Sequence, residues 1–141
     1  MSFKKVRDAH QTENTEDYLE LIADLLNQNG EARIVDIAEK LDIAQSTANK
    51  TIKRLVKQDY IKKEPYRSIF LTLKGQVIAS NSKKRHKIVY EFLKNLGLDY
   101  NTASADSEGI EHHVSEKTLK KMMKYNKSKN KLLIKSKFNK N

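Results

Sequence analysis

The sequence contains no cysteine among its 141 residues, which excludes disulfide bonds, thiolate metal sites and cysteine nucleophiles. It contains no long apolar run either, and charges occur throughout its first thirty residues. These absences argue against a signal peptide and a membrane span, so we expect a cytoplasmic protein. The hydrophobic content of 38% is low but sufficient for a modest core, to which oligomerisation would add buried area.

Motifs for enzymatic chemistry are also missing. A zincin needs the order His-Glu-x-x-His, and a carboxylate-bridged di-iron bundle needs two Glu-x-x-His pairs. Neither pattern occurs, no Ser/His/Asp elbow is present, and the four glycines form no phosphate-cradling loop. The sequence therefore predicts a protein that is not an enzyme and has no small organic substrate. A helical metallohydrolase is a distant alternative.

The net charge of +10 is concentrated at the C-terminal end. Residues 115–141 hold ten lysines and a single acid, Glu116, whereas the remaining residues hold eighteen basic and seventeen acidic groups. Residues 127–141 therefore predict a basic, disordered tail. Such a tail is either an arm that attracts DNA phosphates without reading sequence or a frayed, solvated terminus.

The first half of the chain has the pattern of a winged helix-turn-helix domain. Residues 1–14 are polar and charged, and predict a flexible N-terminal arm. Residues 15–75 predict three amphipathic helices followed by two short strands joined by a turn. The first helix is expected to begin at Thr15 as its N-cap. Three helices and a β-hairpin in this order are typical of winged helix-turn-helix proteins.

The second half predicts helices only, so the expected fold class is mainly α. Residues 76–126 contain a long amphipathic helix, a second helix over residues 99–114, and a third helix capped by Ser115. No internal repeat is visible. We predict that this region is a separate helical domain.

The third helix offers a surface for reading DNA. Its outer face carries amides, hydroxyls and cations, which suit base edges and phosphates in a major groove. We predict base contacts near its N-terminus and phosphate contacts further along, by Gln45, Ser46, Thr47, Asn49, Lys50, Lys53 and Arg54. Arg67 at the tip of the wing is expected to reach the backbone or a minor groove. The alternative is an ordinary solvated helix face.

The stretch Glu108–His113 holds two carboxylates and two imidazoles within six residues. On a continuous helix Glu108 neighbours both Glu111 and His112, whereas His113 points elsewhere. Two further groups have similar chemistry, namely the Asp17/Glu20 pair and His86. These groups are candidate metal ligands. Taken singly, each also fits an ordinary surface, and the pair fits dipole complementation at a helix start.

The chain resembles the manganese-dependent transport regulators of the diphtheria toxin repressor superfamily. The resemblance covers roughly residues 6–125. It rests on TEDYLE at 15–20, GEAR at 30–33, VDIA at 35–38, FLTLKG at 70–75, Arg85-His86 and DSEGIEHHVS at 106–115. The last of these is highly specific. The segment Arg7-Asp8-Ala9-His10 is similar to the longer N-terminus of one branch of these regulators.

The resemblance implies a winged helix-turn-helix domain followed by a helical metal-binding and dimerisation domain. It implies a homodimer that represses metal-uptake genes from a palindromic operator when metal fixes the dimer geometry. The implied ligands of a paired Mn²⁺ site are Asp17, Glu20, His86, Glu108, Glu111 and His112. Such an oxygen-rich set without sulfur suits Mn²⁺, and Fe²⁺, Co²⁺, Zn²⁺ or Cd²⁺ are expected to substitute. The alternative is a winged-helix regulator that responds to a non-metal signal.

Overall fold

A computed structural model describes residues 2–65 and 68–139 of the chain. Its elements are α1 (Phe3–Asn29), α2 (Ile34–Leu41), α3 (Gln45–Lys57), β1 (Ile61–Lys63), β2 (Ile69–Leu71), α4 (Leu73–Asn95), α5 (Tyr100–Ile110), a 3₁₀ turn (Glu111–His113) and α6 (Glu116–Phe138). The expected mainly α fold is confirmed. None of these described helices is long and apolar enough to cross a membrane.

The chain divides into two compact units, Met1–Ser82 and Lys83–Asn141, with the boundary inside α4. In the first unit, buried aliphatic side chains from α1, α2 and α3 meet those of the two strands. The core includes Leu19, Ile22, Ile37, Ile52, Leu55, Ile61 and Ile69. Amphipathic patterning explains this arrangement, because each helix places its apolar stripe on one side only.

The strands form a two-stranded antiparallel hairpin in which Lys62 pairs with Phe70. Ser68 attaches this hairpin to the loop before α2. Its hydroxyl accepts from the Ala32 backbone N–H at 2.6 Å and lies 3.1 Å from the Ala32 carbonyl, to which it can donate. The Ile69 N–H also donates to that carbonyl, at 2.8 Å. The wing is therefore fixed to the three-helix core by polar contacts as well as by buried side chains.

The predicted flexible arm is wrong, because α1 begins at Phe3 and residues 3–14 are its first turns. Ser2 is the N-cap, and its hydroxyl accepts from the Lys5 backbone N–H. No glycine or proline interrupts residues 3–29, so nothing in the backbone ends the helix before Gly30. Thr15, the expected N-cap, is instead a buried residue inside α1.

Buried side chains of α4, α5 and α6 form the core of the second unit, centred on Val89, Leu93, Ala103 and Leu119. Asn126 of α6 is a buried polar residue within it. Its side-chain oxygen accepts from Asn95 Nδ2 at 2.9 Å, and its amide donates to the Ile88 carbonyl at 3.2 Å. Both hydrogen bonds fix the rotation of α6 against α4.

The basic tail is helical up to Phe138, which corrects the expectation of disorder for residues 127–138. Lysine is a good helix former, and neither glycine nor proline occurs after Gly109. Residues 140 and 141 lie outside the described part of the chain.

A close approach of two backbone segments requires glycine at position 75. Thr72 begins α4, because its hydroxyl accepts from the Gly75 N–H at 3.1 Å and donates to the Asp59 carbonyl at 2.6 Å. This geometry brings Gly75 against the backbone just before β1, and a Cβ on Gly75 would overlap the carbonyl oxygen of Tyr60. Gly109 in α5 has nothing within 4 Å of an added Cβ.

We therefore expect Gly75→Ala and Gly109→Ala to change stability in opposite directions. The first should lower the free energy of unfolding by about 1–3 kcal/mol, because the new methyl group displaces backbone. The second should raise it by about 0.5–1 kcal/mol, because alanine favours the helix. Urea denaturation followed by circular dichroism, with chelator present, measures both. Equal effects of the two substitutions would contradict the close approach.

Candidate metal centre and nucleic-acid interface

Three of the predicted ligands meet in the second unit. The Glu111 carboxylate lies between two imidazoles: its Oε2 is 3.2 Å from His86 Nδ1, and its Oε1 is 3.4 Å from His112 Nε2. The glutamate is 4% exposed and the His112 side chain 2%, whereas His86 is 32% exposed. The fold thus brings together two side chains, His86 and Glu111, that are 25 residues apart in the sequence.

The 3₁₀ turn creates this arrangement. The helix expected over residues 99–114 ends at Ile110, and Glu111–His113 form a tighter turn instead. Arg85 Nη2 donates to the Val114 carbonyl at 3.0 Å and so holds the end of the turn against α4. The tighter turn buries Glu111 and leaves Glu108, on the last turns of α5, exposed. Glu108 and Glu111, which were expected to be neighbours on one helical face, thus lie on either side of the end of α5 and differ in burial.

Aromatic rings support the exposed side of the cluster. Tyr90, one helical turn after His86, stacks on the imidazole with 6.5 Å between ring centroids and 12° between planes. Tyr100 of α5 meets the Tyr90 ring edge-on at 6.1 Å. Neither tyrosine was singled out from the sequence. The i, i+4 spacing of His86 and Tyr90 is a signal that could have revealed the first contact.

The chemistry of the cluster fits a divalent cation. Glu111 Oε2 is buried, and among the described residues it has no hydrogen-bond partner, since the nearby His86 nitrogen lacks the geometry of a hydrogen bond. A buried carboxylate oxygen without a donor is costly. A cation bound at this carboxylate would satisfy it, and carboxylate and imidazole donors suit divalent transition metals.

The other predicted pair lies on α1 in the first unit. Glu20 Oε2 accepts from the Ser82 hydroxyl at 2.9 Å, and Ser82 is 2% exposed. Asp17 precedes Glu20 by about one turn of the same helix. Sequence reasoning missed Ser82, although a serine in the apolar stripe of α4 is a recognisable signal. This hydroxyl orients the Glu20 carboxylate.

The predicted DNA-reading helix has the expected orientation. Ala48, Ile52 and Leu55 are its buried residues. Five of the predicted DNA-contacting side chains are exposed, namely Gln45, Ser46, Thr47, Lys50 and Lys53, and Asn49 is half-buried. The amides and hydroxyls therefore cluster at the N-terminal end, as a helix that enters a major groove requires.

Arg54 and Arg67 differ from the rest of that set. Arg54 Nη1 donates to Thr15 Oγ1 at 3.0 Å and to Gln58 Oε1 at 2.9 Å. The first hydrogen bond joins α3 to α1, so the guanidinium has a structural role inside the first unit. Arg67, predicted at the tip of the wing, lies outside the described residues.

Two family models match the chain. One, described as the N-terminal DNA-binding domain of iron-dependent repressors, matches residues 10–69. The other, described as their metal-binding and dimerisation domain, matches residues 72–130. Their order, a DNA-binding half followed by a metal-binding and dimerisation half, is the order predicted from the sequence.

Similar proteins agree with these matches. The transcriptional regulator MntR of Escherichia coli O6:H1 is 48% identical over 117 residues, which cover 83% of this chain and 76% of the relative. The HTH-type transcriptional regulator MntR of Shouchella clausii is 42% identical over 104 residues, 74% of this chain and 73% of the relative. The structure of the manganese regulator SloR aligns with a TM-score of 0.70 at 28% identity, covering 79% of this chain and 52% of that one.

The alignment thus covers about half the length of the SloR chain. The resemblance noted from the sequence is confirmed, as is the expectation that the protein is not an enzyme, because the matched family consists of transcriptional regulators. The chain belongs to the iron-dependent repressor family of metal-responsive, DNA-binding transcriptional regulators.

Proposed function

We propose that this chain is a Mn²⁺-responsive repressor of manganese-uptake genes, which acts in the cytoplasm as a homodimer on a palindromic operator. The observation that carries the proposal is the buried Glu111 carboxylate between His86 and His112, in a chain that also has an exposed DNA-reading helix. Relatives named as transcriptional regulators MntR and a solved structure named as a manganese regulator support the choice of metal.

We propose that six side chains hold two Mn²⁺ ions per subunit, namely Asp17, Glu20, His86, Glu108, Glu111 and His112. Four carboxylates and two imidazoles form a hard donor set, and sulfur is absent from it. This favours Mn²⁺, while Fe²⁺, Co²⁺, Zn²⁺ and Cd²⁺ are substitutes because imidazole and carboxylate also bind them. Glu108 is exposed, so metal in solution can reach its carboxylate directly.

The bound cations supply positive charge that offsets the repulsion among the carboxylates. The protein's own residues prepare this site. Ser82 orients Glu20 through its 2.9 Å hydrogen bond, and Arg85 holds the turn that buries Glu111. Tyr90 fixes the plane of the His86 ring. Each contact restricts a ligand before metal arrives, which lowers the ordering cost of binding.

We propose that metal binding fixes the geometry of the dimer for operator recognition. In a dimer the recognition helices must reach successive major grooves, which are about 34 Å apart. A restriction of this kind can supply a coupling of about 1–3 kcal/mol between metal and operator binding.

A direct test is fluorescence anisotropy with a duplex from the gene's own upstream region. After chelation, Mn²⁺ should tighten binding by roughly 5- to 150-fold, the usual range of allosteric coupling. Mg²⁺ at the same concentration serves as the control and should give little activation, because it retains its waters and disfavours imidazole. An affinity that Mn²⁺ leaves unchanged would contradict the proposal.

The ligand role of Glu111 is tested by Glu111→Gln, which keeps the shape of the side chain and removes its charge. Mn²⁺ affinity should fall by more than about 100-fold, because even outer-shell partners of metal ligands cost roughly 10- to 100-fold. Electron paramagnetic resonance of free Mn²⁺ measures this loss. The matched control is Asp106→Asn, an exposed carboxylate on the neighbouring helix α5, which should bind normally. Equal affinities of the two variants would exclude Glu111 as a ligand.

The two kinds of DNA contact proposed for α3 should separate by substitution. Gln45→Ala should cost about 1–3 kcal/mol on the operator and reduce its preference over a scrambled duplex, because a base contact is lost. Lys53→Gln should weaken both duplexes alike and reduce the salt slope by about 0.9, since a phosphate contact is lost. Anisotropy at several salt concentrations gives both quantities. The assignment is wrong if Gln45→Ala weakens both duplexes alike and Lys53→Gln reduces the preference for the operator.

A further inference from the structure

Six lysines form a single row along α6. Lys117, Lys120, Lys124, Lys127, Lys131 and Lys135 are separated by three or four residues, and all are exposed. At about 100° per residue they fall within an arc of roughly 80°. Every residue in that arc between Lys117 and Lys135 is a lysine. We call this row the lysine face; it extends over roughly 27 Å of helix at 1.5 Å per residue.

Up to Asn126, the opposite side of the helix packs inward. Leu119 and Asn126 are buried, and Met122 packs against the core of the second unit. The Asn126 hydrogen bonds to Asn95 and the Ile88 carbonyl therefore also fix the direction of the lysine face. The row is thus held on the surface by the packing of its own helix.

The lysine face has no local compensation of charge. No acidic residue follows Glu116 in the chain. Among the residues that the structure describes, none of the six ammonium groups has an acidic partner within 4.0 Å. Like charges so close together repel one another and favour a polyanionic partner.

We infer that the lysine face binds the backbone phosphates of double-stranded DNA and adds a sequence-independent contact to operator recognition. This inference rests on the proposed function, because it presupposes that the protein acts on DNA. Lysine is a flexible point charge that meets phosphate without geometric selection. B-DNA presents one negative charge per about 1.7 Å of helix axis, so a row of this length faces many phosphates.

The composition of the face favours a duplex over other polyanions. No aromatic side chain interrupts the row, and single-stranded nucleic acids are bound by stacking on aromatic rings. An amphipathic helix on an anionic membrane inserts its apolar side. On α6 Leu119 is buried in the protein, whereas Leu132, Leu133 and Ile134 are exposed further along the helix. The row itself holds only cations, which favours duplex phosphates, and a membrane surface is the alternative that the vesicle measurement tests.

The test compares two double variants that remove the same charge from the same helix. Lys124→Gln/Lys131→Gln lies on the lysine face. Lys129→Gln/Lys137→Gln lies outside it, towards the inward side of the helix. Glutamine keeps the helix propensity of lysine, so both variants should fold. Anisotropy with Mn²⁺ present is measured on the operator and on a scrambled duplex at salt concentrations from about 50 to 200 mM, a range over which phosphate contacts change affinity strongly.

For the on-face variant, the slope of log affinity against log salt should fall in magnitude by at least about 1.8, or 0.9 for each lost phosphate contact. It should fall alike on both duplexes, so the preference for the operator is unchanged. The off-face variant should keep the wild-type slope. Equal slopes for the two variants would overturn the inference.

Two further outcomes distinguish a failure of the proposed function from a failure of this inference. If Mn²⁺ does not activate operator binding, the proposed function fails, yet a slope difference on the scrambled duplex still supports the lysine face. Sedimentation with vesicles of anionic phospholipid provides the remaining arm. If the on-face variant loses vesicle binding while its duplex slopes match those of the off-face variant, the face serves a membrane and the inference is wrong.

Discussion

Burial of the Glu111 carboxylate is the constraint around which the second unit is organised. A carboxyl group with 4% exposure and an oxygen that lacks a hydrogen-bond donor is unfavourable by itself. The fold nevertheless places two imidazoles beside it and secures the turn that carries it through Arg85. A single feature thus links the early end of α5 to the convergence of His86 and His112 on Glu111.

Periodicity predicted the elements in which one face is apolar and the other polar. Helices α2 and α3 are two of the three amphipathic helices predicted before the hairpin, because their core-facing residues follow the three- and four-residue spacing of a helix. The hairpin followed from alternation bounded by a turn. The same logic identified α3 as the helix with an exposed polar face. In each of these elements, the residues that form the apolar pattern in the sequence are also the residues buried in the core.

Sequence reasoning failed where a helix boundary or contact depends on an interaction that hydrophobic periodicity does not show. Some of these interactions join residues that are far apart along the chain. The polar residues before Thr15 carry no apolar stripe, yet Ser2 and an uninterrupted backbone suffice to make them helical. The end of α5 at Ile110 depends on the 3₁₀ turn and on Arg85, which is 25 residues away. The hydrogen bond between Arg54 and Thr15 was not foreseen, because the two residues lie on different helices. Chemical identity was visible in the sequence, but convergence in space was not.

The Asn126 hydrogen bonds have a consequence for how this chain can change over evolution. They fix the direction in which each later residue of α6 points around the helix axis. Exchange of a lysine for arginine downstream preserves the pattern, whereas one inserted residue turns the remaining helix by about 100°. Lys127, Lys131 and Lys135 would then leave the row that Lys117 begins. Between Asn126 and Lys135, insertions and deletions should therefore disturb the row more than exchanges of lysine for arginine.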